Sequence, residues 1–84
     1  MTSKAAASFW RCYAALPQRV QDLADKNHRF WLHNPFHPSL RFKPFRDDHW
    51  SARVGDHYRA VGFWLDDQTF VWTWIGTHED YNKL

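Results

Sequence analysis

The sequence predicts an α+β domain of two layers, in which an N-terminal helical hairpin packs on one face of a small antiparallel sheet. Two observations carry the prediction. Residues 9 to 31 repeat apolar side chains at helical spacing, whereas three segments between Trp50 and Ile75 alternate or run apolar as strands do. The proline-containing stretch Asn34 to Pro44 lies between these halves and suits neither a helix nor a central strand.

In chain order, Met1 to Ser8 has poor strand propensity and reads as helix, with Thr2 or Ser3 as its cap. Phe9, Tyr13 and Leu16 form one apolar stripe with Trp10 at its edge. Pro17 disfavours helical geometry at Leu16 but fits the opening of a second helix. From Gln18 onward, Val20, Leu23, Ala24 and Trp31 mark the apolar face of that helix, opposite Arg19, Gln21, Asp22, Asp25 and Lys26. The strands follow. In Trp50–Val54, Trp50, Ala52 and Val54 face one way and Ser51 and Arg53 the other. In Tyr58–Leu65, Arg59 shares a face with Val61, Phe63 and Leu65, a lone basic residue on an apolar side. Thr69–Ile75 is aromatic and β-branched, as in a strand covered on both faces. Gly55-Asp56 and Asp66-Asp67-Gln68 supply the turns of a three-stranded meander.

At 84 residues the chain is one domain, residues 1–84, with room for a single thin core. Six Trp, seven Phe and three Tyr compensate, since each enclosed ring buries roughly 150 to 250 Å². A net charge of +2 gives little global attraction to nucleic acid, so any phosphate site has to be local. Cys12 is the only cysteine, and no 18-residue apolar run occurs. A reduced, cytoplasmic setting with no membrane partner is the expectation. His33 and His37 are four apart, but Pro35 between them prevents helical presentation of a metal pair. No metal or other cofactor is expected.

The helical pair broken at Leu16-Pro17, Asn34-Pro35, Lys43-Pro44, Trp50-Ser51-Ala52-Arg53-Val54, Tyr58-Arg59-Ala60-Val61 and the closing Gly76-Thr77-His78-Glu79-Asp80-Tyr81, in that order and spacing, resemble the RelE/ParE superfamily of bacterial toxins. The resemblance spans about residues 9 to 84. It implies a small α+β toxin of a type II toxin–antitoxin pair, neutralised by a cognate antitoxin. Most nuclease members cut messenger RNA on the ribosome without a metal; the ParE branch poisons DNA gyrase. Two departures stand out. The family usually opens with a strand, whereas Met1 to Ser8 reads as helix and leaves that sheet position empty. An antitoxin segment or a second copy of the chain, giving a homodimer, would fill such an open edge. The lysine pair of some nucleases is also absent, with His49, Ser51 and Arg53 in its neighbourhood.

Metal-free RNA cleavage requires a base for the 2′-hydroxyl, an acid for the departing 5′ oxygen and a cation for the phosphate charge. Arg59, matched by the resemblance, is the candidate cation, with an ion pair to Asp56, Asp66 or Asp67 as the ordinary alternative. Arg53 brings a second guanidinium across the turn, and His78 can act as acid or base near neutrality. Tyr81 either stacks on a base or packs on the sheet edge, while Lys43 and His49 line the approach as RNA-binding candidates. The leading expectation is a ribosome-dependent endoribonuclease, favoured also because no extension follows Leu84 to add a binding element. The alternatives are a non-catalytic gyrase-binding toxin and a degenerate member that binds only its antitoxin.

Overall fold

The computed structural model describes residues 1–84. Its elements are β1 (Thr2–Ala5), α1 (Ala7–Ala14), α2 (Gln18–His33), a 3-10 turn at Pro38–Leu40, β2 (Lys43–Pro44), β3 (His49–Val54), β4 (Tyr58–Trp64), β5 (Thr69–Thr77) and α3 (His78–Tyr81). The five strands form one sheet in the order β1-β5-β4-β3-β2. The meander β3-β4-β5 is antiparallel as expected, and β2 joins it antiparallel at one edge.

The N-terminus corrects the sequence reading. Thr2–Ala5 is a strand, paired parallel to β5 from Thr2↔Thr69 to Ala5↔Trp72, so the sheet is mixed and its first position is filled. The empty edge expected there does not exist. Local propensity loses because the backbone ladder and a side-chain anchor act together. Ser3 Oγ accepts from Trp72 Nε1 at 3.0 Å and shares a hydrogen with His28 Nε2 at 2.8 Å. Helix α1 begins only at Ala7, where Ser8 Oγ donates to Thr73 O at 2.7 Å.

Thr73 is the bulged residue of β5. Val61 pairs with Trp74 and Gly62 with Trp72, which advances β5 by one residue and keeps Phe70, Trp72 and Ile75 all on the core side. Gly62 is required at this step, because a Cβ there would collide with the Val71 carbonyl and the Phe70 ring. In the β2–β3 hairpin, Asp47 and Asp48 take the left-handed conformation (φ 53° and 62°), matching a type I′ turn. Asp tolerates this region better than most side chains.

Trp31, 1% exposed, centres the core, with ring centroids 5.3 Å from Trp72, 5.4 Å from Phe70 and 5.6 Å from Phe42. Val20, about three turns earlier on α2, is also buried, whereas Leu23 and Ala24 are only half-buried. Polar links join the two helices: Tyr13 Oη donates to Asp25 at 2.9 Å, and Gln21 Nε2 donates to Tyr13 O at 2.9 Å. No helix is long and apolar enough to cross a membrane.

Candidate functional site

Alternation along β3, β4 and β5 divides the sheet. Ala52, Val54, Ala60 and Ile75 face the helices, so Ser51, Arg53, Arg59, Val61 and Trp74 occupy the opposite face. The register sets Arg53 directly across from Arg59, and Arg59 across from Gly76. Like charges directly opposite in a sheet repel. The molecule relieves this on one side only: Arg53 donates through Nη2 to the Asp56 carboxylate and through Nε to Gly55 O at 3.0 Å.

Arg59 has no carboxylate partner. The Arg53–Asp56 pair is the single salt bridge of the chain, so the ion pairs weighed for Arg59 with Asp56, Asp66 and Asp67 are not made. Its Nη1 donates to Tyr58 O at 2.8 Å. Partial burial lowers its pKa from the ordinary arginine value, and the charges of Arg53 and Arg41 lower it further, against weaker opposition from Tyr81 and Asp56. A guanidinium disfavoured by its surroundings is one that gains from an anion. Asp66, at the far turn, instead accepts from Gln68 N at 2.8 Å, a backbone bond that holds its pKa low.

Helix α3 folds over this face. Thr77 caps it by accepting from Asp80 N at 3.1 Å, and Tyr81 returns to the sheet with its hydroxyl 3.0 Å from Ser51 Oγ. The Tyr81 ring stacks on Phe45 at 4.6 Å and on His78 at 5.9 Å. At 9% exposed it is a wall of the site, in keeping with packing rather than with an open stacking platform. His78 is exposed at the start of α3, and its backbone N–H donates to His57 O at 2.7 Å. With Tyr58 across from Thr77, the strand registers carry His78 to the same corner of the sheet as Arg59.

The remaining candidates divide. Lys43 is exposed and sits opposite Ser51, two residues along β3 from Arg53. His49 is four residues from Arg53 on the same strand, about 13 Å along it, and is not brought to Arg59. Its Nδ1 donates to Asp47 O at 2.9 Å, and its ring meets Phe63 edge-on at 6.0 Å. No three His, Cys, Asp or Glu side chains gather as a metal-binding set. His37 Nδ1 is engaged by Ser39 within the 3-10 turn.

Two residues missed in the sequence also belong to this face, and a third lies at its corner. Arg41 adds its charge to Arg59, and its signal was the alternation of buried Leu40 and Phe42 with exposed Arg41 and Lys43. Trp74 lays its indole over Gly76, where a Cβ would fall 2.5 Å from the ring, so glycine there makes room for an aromatic surface beside Arg59. His57, at the corner, is exposed and joins His78 through the backbone, while it also borders a hollow with Arg19, Val20 and Leu23 of α2; the Gly55-Asp56 turn gave its only signal. Together the strand registers gather guanidinium and indole groups on this face, with imidazoles at its corner.

Comparisons with known proteins agree with this architecture. The YoeB/ParE toxin from Agrobacterium tumefaciens superposes with a TM-score of 0.72 at 18% identity, covering 93% of this chain and 99% of that one. The toxin–antitoxin complex RelBE2 from Mycobacterium tuberculosis gives 0.74 at 23% identity, covering 92% and 96%. YafQ from E. coli strain BL21(DE3) gives 0.75 at 13% identity, covering 94% of each. At these identities the likeness is one of fold. No curated protein sequence matches the chain. The family model for the ParE-like toxin domain matches residues 18–83, from the start of α2 through α3, and the chain therefore belongs to the ParE-like toxin domain family.

Proposed function

We propose that this toxin is the effector of a type II toxin–antitoxin pair and cleaves messenger RNA on the ribosome without a metal. The observation that carries the reading is Arg59, a guanidinium without a carboxylate partner, set on a rigid central strand between Arg53, Arg41 and the His78 corner. Guanidinium donors match phosphate oxygens in a planar fork, and a fixed cation stabilises charge as it builds on phosphorus. In the proposed reaction the 2′ oxygen attacks phosphorus as its proton passes to the His57 imidazole. The bond to the 5′ oxygen breaks, and His78 gives that oxygen a proton. A 2′,3′-cyclic phosphate and a 5′-hydroxyl end remain. Arg53 and Lys43 steer the backbone, and Trp74 offers a face for a base. That the Mycobacterium tuberculosis neighbour is a toxin–antitoxin complex supports an antitoxin protein as this chain's partner.

Ribosome-bound mRNA cleavage by purified protein tests the reading, with circular dichroism as the folding control. Arg59→Ala should abolish cleavage in a folded protein, and His78→Ala should slow it by about 10² to 10⁴. Full cleavage by folded Arg59→Ala protein would remove this site. Absence of cleavage by the unaltered chain, together with inhibition of DNA supercoiling by gyrase, would establish the gyrase-directed alternative.

A further inference from the structure

We infer that an acid-free ridge, running from the C-terminal half of α2 over the β2 edge to the Arg59 face, binds the unpaired RNA strand on one side of the phosphate held there. The inference rests on the RNA reading of the Arg59 face and adds the path of the strand. The net charge of +2 conceals an uneven distribution. Residues 26–46 hold five of the eleven Lys and Arg and none of the nine Asp and Glu, together with His28, His33 and His37. Asp22 and Asp25 bound the stretch at one end, and Asp47 and Asp48 at the other. Its five cations, Lys26, Arg29, Arg41, Lys43 and Arg46, are all exposed. None is paired with a carboxylate, since the single salt bridge of the chain joins Arg53 to Asp56. Uncompensated cations gathered in one place make a local field that a modest net charge does not reveal.

The fold turns this stretch into one surface. On α2, Lys26, Arg29, Phe30 and His33 fall at i, i+3, i+4 and i+7, a strip on the side of the helix turned away from buried Trp31. The Phe30 ring lies 5.9 Å from His37, which carries the strip onto the loop after α2. Phe36 follows, its ring 5.7 Å from Phe42 and 6.2 Å from Trp50. Arg41 and Lys43 then alternate with buried Leu40 and Phe42, and the Arg41 charge is felt at Arg59. The ridge is thus continuous with the candidate site. Phe36 is 62% exposed and Phe30 46%, and basic residues flank both. Exposed rings between cations suit a single strand, whose phosphates meet the charges and whose unstacked bases meet the rings. A duplex hides its base faces, and an acidic peptide satisfies the cations but leaves the rings without planar partners.

Fluorescence anisotropy of the purified chain with a labelled RNA strand of about 12 nucleotides, 2′-O-methylated so that it cannot be cleaved, tests the path. Affinity should fall steeply with salt. Lys26→Gln combined with Arg29→Gln, both on the α2 strip, should reduce the slope of log K against log salt by roughly 1.4. Phe36→Ala should weaken binding by roughly 5- to 150-fold. An RNA duplex of the same sequence should bind less tightly than the strand, and poly-glutamate should compete only weakly. Absence of RNA binding, an unchanged slope in the double variant, full affinity in folded Phe36→Ala protein, tighter binding of the duplex, or poly-glutamate bound as tightly as RNA would each overturn the inference, the last in favour of an acidic protein partner. Circular dichroism checks each fold, and the exposed Lys26 and Arg29 pair decides the matter should Phe36→Ala fail to fold. The two readings fail separately. An unaltered chain that cleaves nothing leaves these affinities standing, whereas ridge variants that bind RNA at full strength and still cleave it keep Arg59 and remove the ridge.

Discussion

The Ser51–Tyr81 pair is where fold and site meet, and a double-mutant cycle measures what it contributes. Ser51 is 2% exposed, and the Tyr81 hydroxyl, 3.0 Å away, is its side-chain partner. Tyr81→Phe keeps the ring stacked on Phe45 but strands the Ser51 hydroxyl in the interior, which costs about 1 to 3 kcal/mol. Ser51→Ala strands the phenol instead, at the lower end of that range, because Tyr81 retains some solvent access. The double variant leaves neither group unpaired, so its loss should be well below the sum, with a coupling of about 0.5 to 3 kcal/mol. Urea denaturation of the four proteins reads these values directly. For a domain this size each kcal/mol corresponds to about 4 to 8 °C in Tm. Additive losses, with coupling under about 0.3 kcal/mol, would refute the buried pair. If Tyr81→Phe instead kept full stability and lost RNA cleavage, the hydroxyl would belong to the chemistry and not to the anchoring of α3.

Other perturbations check separate parts of the structure. Leu23 is half-buried beside Gly55, so Leu23→Ala should destabilise by about 1 to 2 kcal/mol in urea, less than the 2 to 5 of an enclosed leucine; no change would contradict its packing against the core. Gly62→Ala should disrupt the bulge, since its Cβ has no space against backbone, and an unchanged Tm would show that the step is not fixed. Stability should also fall in mild acid. Burial lowers the pKa of His28, partly opposed by Asp25, so the unfolded chain takes up the proton first. The His28 contribution is complete above the unfolded value near 6.5 and is lost as pH drops from there through the folded value. A His28→Gln protein should show a shallower loss of urea midpoint between pH 7.5 and 5; an identical slope would place the dependence on other groups.

Periodicity alone determined much of this protein. The apolar stripes of α1 and α2, the proline break between them and the alternation in β3 and β4 are local patterns, legible because a side chain's direction follows from its own backbone. The position of Arg59 on the open face came from that alternation, and the short Gly55-Asp56 turn set it opposite Arg53. Other features required the folded chain. Thr2–Ala5 became a strand because β5, some 67 positions away, offered its edge and Trp72 offered an N–H to Ser3. The bulge at Thr73 shifted the face of β5 by one residue, turning Trp74 to the site side, and no window around it displays that change. Tyr81 looked equally suited to solvent and to packing until α3 brought it to Ser51 and Phe45. The isolation of Arg59 is likewise a tertiary fact: whether a carboxylate reaches an arginine depends on where distant turns carry Asp56, Asp66 and Asp67, and only the folded chain fixes those distances.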